Sequence, residues 1–123
     1  MISIVDDDES IRKALKRLFT SVGFDVEVFA SAEEFLSSRS LQDSACLILD
    51  LRMQGMSGLE LQSVLTSSNR RVPVIFLTAH NDEHARAQAI RGGAISFLCK
   101  PFSEDTLIRD VHKAVDQHRL NAH

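Results

Sequence analysis

Apolar and polar positions along the chain alternate between short continuous apolar runs and longer stretches with helical spacing. The first run, Ile2 to Val5, is largely β-branched and stops at Asp6, Asp7 and Asp8. Ile11, Leu15, Leu18, Phe19 and Val22 then recur three or four residues apart, with Arg12, Lys13, Lys16 and Arg17 facing outward, which predicts an amphipathic helix. Gly23 is well suited to end it. Asp25 to Phe29 alternates polar and apolar residues, the mark of an edge strand wet on one face. Ser31 and Glu34 form a capping box that opens a short helix through Leu36.

The second half repeats the scheme. Ala45 to Leu49 is a continuous apolar strand ending at Asp50, and the loop Leu51 to Met56 leads to a second capping box, Ser57 with Glu60. The helix it opens carries Leu59, Leu61, Val64 and Leu65. Val72 to Leu77 predicts a fourth strand that ends at Thr78, with Pro73 tolerable near its start. Asn81 or Asp82 can cap a helix running to about Arg91, closed by Gly92 and Gly93. Ile95 to Leu98 predicts the fifth strand, followed by Cys99, Lys100 and Pro101. A last helix from Ser103 is expected to bury Leu107, Ile108, Val111 and Val115, and the polar stretch Gln117 to His123 is expected to fray.

Strands that alternate with helices, and are nearly continuous in apolar residues, imply a parallel sheet covered on both faces. Right-handed crossovers make it a doubly wound α/β sheet, whose ligands bind beyond the carboxyl ends of the strands. Asp6 and Asp7 close the first strand, Asp50 the third and Thr78 the fourth, while Lys100 follows the fifth. These polar groups therefore converge on one edge. Three carboxylates there repel one another unless a cation sits between them, and hard oxygen ligands favour Mg²⁺ or Mn²⁺. A lysine and a hydroxyl beside them complete the fittings for phosphoryl transfer with a carboxylate as nucleophile. Each residue alone has an ordinary reading: Asp8 as a helix cap, Thr78 as a routine strand residue, Lys100 as a solvated charge. Five such residues at strand ends are not explained that way.

The length of 123 residues fits one domain, and 44% hydrophobic with 25% charged content is that of an ordinary soluble protein. No apolar run approaches the ~20 residues a membrane-spanning helix needs. The N-terminus lacks the basic segment of a signal peptide, so a cytoplasmic location and no membrane partner are expected. A net charge of -3 argues against this segment gripping DNA itself. Cys46 and Cys99 sit in apolar runs without a C-x-x-C partner and read as small reduced core residues. His80 and His84 form an i,i+4 pair without further ligands around it, a poor metal site.

The motifs VDD at Val5–Asp7, LILDLRM at Leu47–Met53, MSG at Met56–Gly58, FLTA at Phe76–Ala79 and FLCKPF at Phe97–Phe102 carry a resemblance over the whole length. The chain resembles the receiver domains of bacterial two-component response regulators, and in wording such as DLRM and KPF those of LuxR-type (FixJ-like) transcriptional regulators. The resemblance implies a flavodoxin-like, three-layer αβα fold with strand order 2-1-3-4-5, and residues 1–123 as one receiver domain, with an output domain possible beyond its C-terminus. It implies that Asp50 is the phosphoacceptor, that Asp7 and Asp50 ligate Mg²⁺ directly, that Asp6 does so through water, and that the backbone carbonyl of Arg52 completes the set. Lys100 would pair with the phosphoryl oxygens and Thr78 would hydrogen-bond one of them. Phe97 would be the switch aromatic, and the Lys100–Pro101 bond would be cis. Implied partners are a sensor histidine kinase and, on phosphorylation, a second copy through the face of the 82–91 helix, the fifth strand and the last helix. DNA would be met only through an output domain. Such a receiver is a signalling phosphoacceptor rather than an enzyme with turnover, although it assists its own phosphorylation and dephosphorylation. Arg52 and His80 fall where family members vary and would tune the lifetime of the phosphoryl group. One departure is Gln54, where the family usually has proline, expected to loosen the loop beside the site.

Three other readings fit less well. A dehalogenase-like phosphatase places a second acid two residues after the nucleophile, and here that residue is Arg52. A flavodoxin-like cofactor binder needs a Ser/Thr/Gly-rich phosphate loop after the first strand, where this chain has Asp6-Asp7-Asp8-Glu9. A degenerate receiver serving only as an interaction module would lack some of the five site residues, and all are present.

Overall fold

The computed structural model describes residues 1–121. Its strands are β1 (Ile2–Val5), β2 (Val26–Phe29), β3 (Cys46–Leu49), β4 (Val74–Thr78) and β5 (Ser96–Cys99). They form one sheet in the order β2-β1-β3-β4-β5, with every neighbouring pair parallel. The three inner strands are buried at every position, which is why their sequences read as nearly unbroken apolar runs. The outer strand β2 alternates between half-buried and exposed residues, as its composition predicts.

Side chains alternate across the sheet and build two apolar layers. On one face Val5, Leu47, Leu49, Phe76 and Phe97 pack with Phe35, Leu61, Leu65, Ala85 and Ala89, which come from α2 (Ala32–Leu36), α4 (Gly58–Ser67) and α5 (Glu83–Arg91). On the other, Ile2, Ile4, Ile48, Ile75 and Leu77 pack with Leu15 and Phe19 of α1 (Glu9–Ser21) and Leu107, Val111 and Ala114 of α6 (Glu104–Asn121). Each fully buried Val, Leu, Ile or Phe side chain among them contributes about 2 kcal/mol of transfer free energy.

The caps sit where the sequence places them. Asp8 accepts the N–H groups of Ser10 and Ile11, Ser57 and Glu60 form a reciprocal box, and Asp82 rather than Asn81 caps α5. Ser31 accepts from Glu34, but the Glu34 carboxylate takes the N–H of Ala30, so this box is displaced by one residue. The first strand has its expected limits, and those of β2 to β5 shift by one or two residues.

Other expectations need correction. Val22 lies past the end of α1 as its C-cap and is 42% exposed, because Gly23, at φ +98, turns the chain away before Val22 can face the core. A single helical turn, α3 (Ser40–Asp43), occupies a stretch with no helical period. It is secured by Ser44 Oγ, which donates to the Ser40 carbonyl and meets Ser3 Oγ of β1 at 2.5 Å. Residues 117–121 continue α6 instead of fraying, since the helix already has a docked apolar face; 122–123 lie outside the described residues. Buried Gln62 of α4 donates from Nε2 to the Ala89 carbonyl at 2.9 Å, a polar tie that holds α5, whose buried residues are only alanines. No helix among the described residues is long and apolar enough to cross a membrane.

Candidate functional site

The carboxyl ends of β1 and β3 are neighbours in the sheet, in the register Val5↔Leu49, so the residues following them emerge side by side. That places ligand oxygens of Asp6, Asp7 and Asp50 within 4.8 Å of one another. Asp6 is buried, Asp50 half-buried and Asp7 exposed. The Lys100 ammonium, coming from the end of β5, lies 3.8 Å from Asp6 Oδ2. Burial raises the Asp6 carboxyl above its ordinary value, against the opposing pull of the Asp8 N–H and Lys100. Burial first, and then the charge of Asp6, push the Asp50 carboxyl up to about 6 even though Lys100 and the Leu51 N–H favour its anion. One ammonium therefore does not neutralise this group of acids. An all-oxygen donor set with surplus negative charge fits a hard divalent cation.

Asp50 is held closely. Its N–H donates to the Val5 carbonyl at 3.0 Å and its Oδ1 accepts the Leu51 N–H at 2.8 Å. Behind it Gly58 opens α4 and donates its N–H to the Leu51 carbonyl at 3.0 Å. The loop between them is also tied to α2, where Glu33 Oε2 accepts the Met56 N–H at 3.1 Å. These bonds tie the loop at Leu51, Met56 and Gly58, on either side of Gln54.

Thr78, at the end of β4, is fully buried, and its hydroxyl accepts the His80 N–H at 3.1 Å. That bond uses an oxygen lone pair, so the hydroxyl keeps its proton to donate. Phe97 is 2% exposed, with its ring 5.8 Å from that of Phe76. The Lys100–Pro101 peptide is cis. Cys46 is buried, which pushes its thiol up to about 12, and Cys99 is half-buried.

Several partners of these residues have no signal in the linear pattern. The Arg52 side chain pairs with Asp82 across 3.6 Å, linking the loop after Asp50 to the cap of α5; the Ala85 N–H bond above all, with a smaller pull from Arg52, holds the Asp82 carboxyl low. Arg86 of α5 donates to the Phe97 carbonyl at 2.9 Å and lies 5.8 Å over its ring. Arg12, expected to face outward, instead reaches back to the Asp6 carbonyl at 2.7 Å, because a long arginine one turn into a helix can span its N-terminus.

Comparison with known proteins agrees with this geometry. The family model of the response regulator receiver domain matches residues 2–112. Nodulation protein W of Bradyrhizobium diazoefficiens is 41% identical over 97% of this chain and 52% of its own length. Response regulator protein TodT of Pseudomonas putida is 42% identical over 99% of this chain and 55% of its own. Among solved structures, response regulator StyR superposes with a TM-score of 0.92 at 41% identity, covering 98% of this chain and 61% of that one. FixJ-N superposes at 0.84 with 37% identity, covering 94% of this chain and 92% of that one. The chain spans about half the length of the curated relatives it matches. With its sheet order, its acidic strand ends and a match that runs almost from end to end, the chain belongs to the response regulator receiver domain family.

Proposed function

We propose that this receiver accepts a phosphoryl group on Asp50 from the phosphohistidine of a sensor histidine kinase, with Mg²⁺ or Mn²⁺ at the acidic cluster. The observation that carries this reading is the meeting of three carboxylates within 4.8 Å beside the Lys100 ammonium. One Asp50 oxygen attacks phosphorus in line, and the phosphorus–nitrogen bond breaks with its electron pair staying on the imidazole. The product is an acyl phosphate on Asp50. The bound cation supplies neutralisation of phosphoryl charge; Asp7, Asp50 and the Arg52 carbonyl would hold it directly, and Asp6 through water. Lys100 turns from Asp6 to the phosphoryl oxygens, and Thr78 donates its free hydroxyl proton to one of them. Incubation with a small phosphodonor and Mg²⁺ is expected to add one phosphoryl group by intact mass, and excess EDTA to prevent it. A chain left unmodified with Mg²⁺ present would overturn the reading.

The metal assignment has its own test. Asp7→Ala removes a direct ligand from a site with few protein ligands, so Mg²⁺ affinity should fall at least about tenfold and phosphorylation should slow. If the variant titrates with Mg²⁺ as the native chain does, Asp7 is only a surface acid.

The output is a change of surface. Thr78 and Phe97 lie on adjacent strands, in the register Phe76↔Phe97 and Thr78↔Cys99. Drawing Thr78 towards a phosphoryl group opens space for the Phe97 ring and reshapes the α5-β5-α6 face, which carries Ile90 at 48% exposure. This face pairs two protomers, so the beryllofluoride-treated protein should dimerise at least about tenfold more tightly, since only differential affinity shifts such an equilibrium. Thr78→Ala should accept phosphate yet gain little association. Sedimentation at several concentrations measures both; an unchanged association constant in the native protein removes the dimer mechanism and leaves Asp50 as phosphoacceptor. On this reading the domain works in the cytoplasm as the receiver part of a transcriptional regulator, and DNA is met by an output domain outside these residues. A relative, TdiR of Thauera aromatica, is named a transcriptional regulatory protein and is 39% identical over 96% of this chain.

A further inference from the structure

Arg12 is placed oddly for a residue of a solvent-facing helix. It stands in the first turn of α1, donating its main-chain N–H to the Asp8 carbonyl at 3.1 Å. Its guanidinium, half-buried, turns back over the helix start and donates from Nη1 to the carbonyl oxygen of Asp6 at 2.7 Å. That carbonyl belongs to the peptide joining Asp6 to Asp7. The other polar groups of Asp6 are tied as well: its N–H donates to the Phe29 carbonyl at 3.1 Å, and its Oδ1 accepts the Asp8 N–H at 2.9 Å. Its Oδ2 faces Lys100. Asp7 is exposed, so the direction of its carboxylate depends on how the Asp6–Asp7 peptide is turned rather than on packing around the side chain.

We propose that Arg12 is a positioning residue for the divalent cation site: through the Asp6 carbonyl it sets the turn of the Asp6–Asp7 peptide, and so keeps the Asp7 carboxylate in reach of Asp6 and Asp50. The inference rests on reading the acidic cluster as a cation site. It has a sign that separates it from simple electrostatics. As a charge, Arg12 opposes a second cation nearby, and its removal would tighten binding. As a positioning group it pre-organises the ligands, and its removal weakens binding. An arginine fork also fixes the direction of its hydrogen bond more firmly than a lysine ammonium does.

Titration calorimetry of the whole chain with Mg²⁺, and separately with Mn²⁺, decides the matter, with thermal midpoints recorded in the absence of metal. Arg12→Met is expected to raise the dissociation constant about tenfold, the usual scale for a group that orients a metal ligand. Arg12→Lys keeps the charge and one donor but not the fork, and is expected to lose about threefold. An unchanged or smaller dissociation constant in Arg12→Met overturns the proposal, even if its thermal midpoint falls. Should Arg12→Met fail to fold, Arg12→Lys decides: affinity equal to the native value overturns the proposal, and a loss supports it. Failure of the native chain to take up either metal is a separate result, which removes the cation site itself and this role with it.

Discussion

Asp50→Asn is expected to lose phosphoryl uptake from any donor and, without metal, to be more stable than the native protein at neutral pH. The first effect follows from chemistry, since an amide has no nucleophilic oxygen anion. The second follows from the environment of Asp50, where burial and the charge of Asp6 push the carboxyl up to about 6. An unfolded aspartate titrates near about 4. Between these values the folded chain holds a proton that the unfolded chain has released, so stability falls as pH rises through this window and levels off above it. Asparagine does not titrate and keeps an oxygen for the Leu51 N–H. The variant should therefore match the native protein near pH ~4 and exceed it above pH ~6 by about 1 kcal/mol, a figure already reduced for partial solvent screening. In thermal melts with EDTA that gain corresponds to about 5 °C. Saturating Mg²⁺ should narrow the gap, because a cation at the proposed site would stabilise the native carboxylate. An acid-labile phosphoryl adduct on Asp50→Asn would show that another residue is the acceptor. Equal melting temperatures at neutral pH in EDTA would show that Asp50 is not under electrostatic strain.

Gly58→Ala is expected to be the most damaging single-methyl change near the site. At an exposed helical position, replacing glycine by alanine stabilises by up to about 1 kcal/mol. Here the added Cβ would fall inside the van der Waals surface of the Asp50 carbonyl oxygen and lie 3.0 Å from the Phe76 ring. Neither can yield easily, because the carbonyl is main chain and Phe76 is fully buried. Overpacking of this kind costs about 3 kcal/mol, reversing the sign of the propensity effect. The strain also bears on the proposed nucleophile, since relief requires the main chain of Asp50 to move. Urea unfolding should show a lower midpoint with an unchanged slope, and phosphorylation by a small donor should slow in the fraction that stays folded. A variant as stable as the native chain would mean that α4 does not approach Asp50 this closely.

Much of this molecule is local in origin and therefore visible in the linear pattern. Strands buried on both faces must be apolar almost throughout, so β1, β3 and β4 announce themselves, and the first polar residues after β1 and β3 are the candidate site residues Asp6, Asp7 and Asp50. Helix starts need acceptors for free N–H groups, so Asp8, Ser57 and Asp82 are found at the expected caps. The one-turn helix α3 is invisible because four residues carry no period, and its support comes from Ser3, a strand away. The ties that shape the site join residues distant in the chain or reverse an apparent orientation: Arg12 to the Asp6 carbonyl, Arg52 to Asp82, Gln62 to Ala89, Arg86 to Phe97. An arginine on a helix reads as solvated until the register of the neighbouring loop brings a carbonyl within its reach. The space behind Asp50 likewise depends on how α4 packs, and that is why the reason for glycine at position 58 appears only in three dimensions.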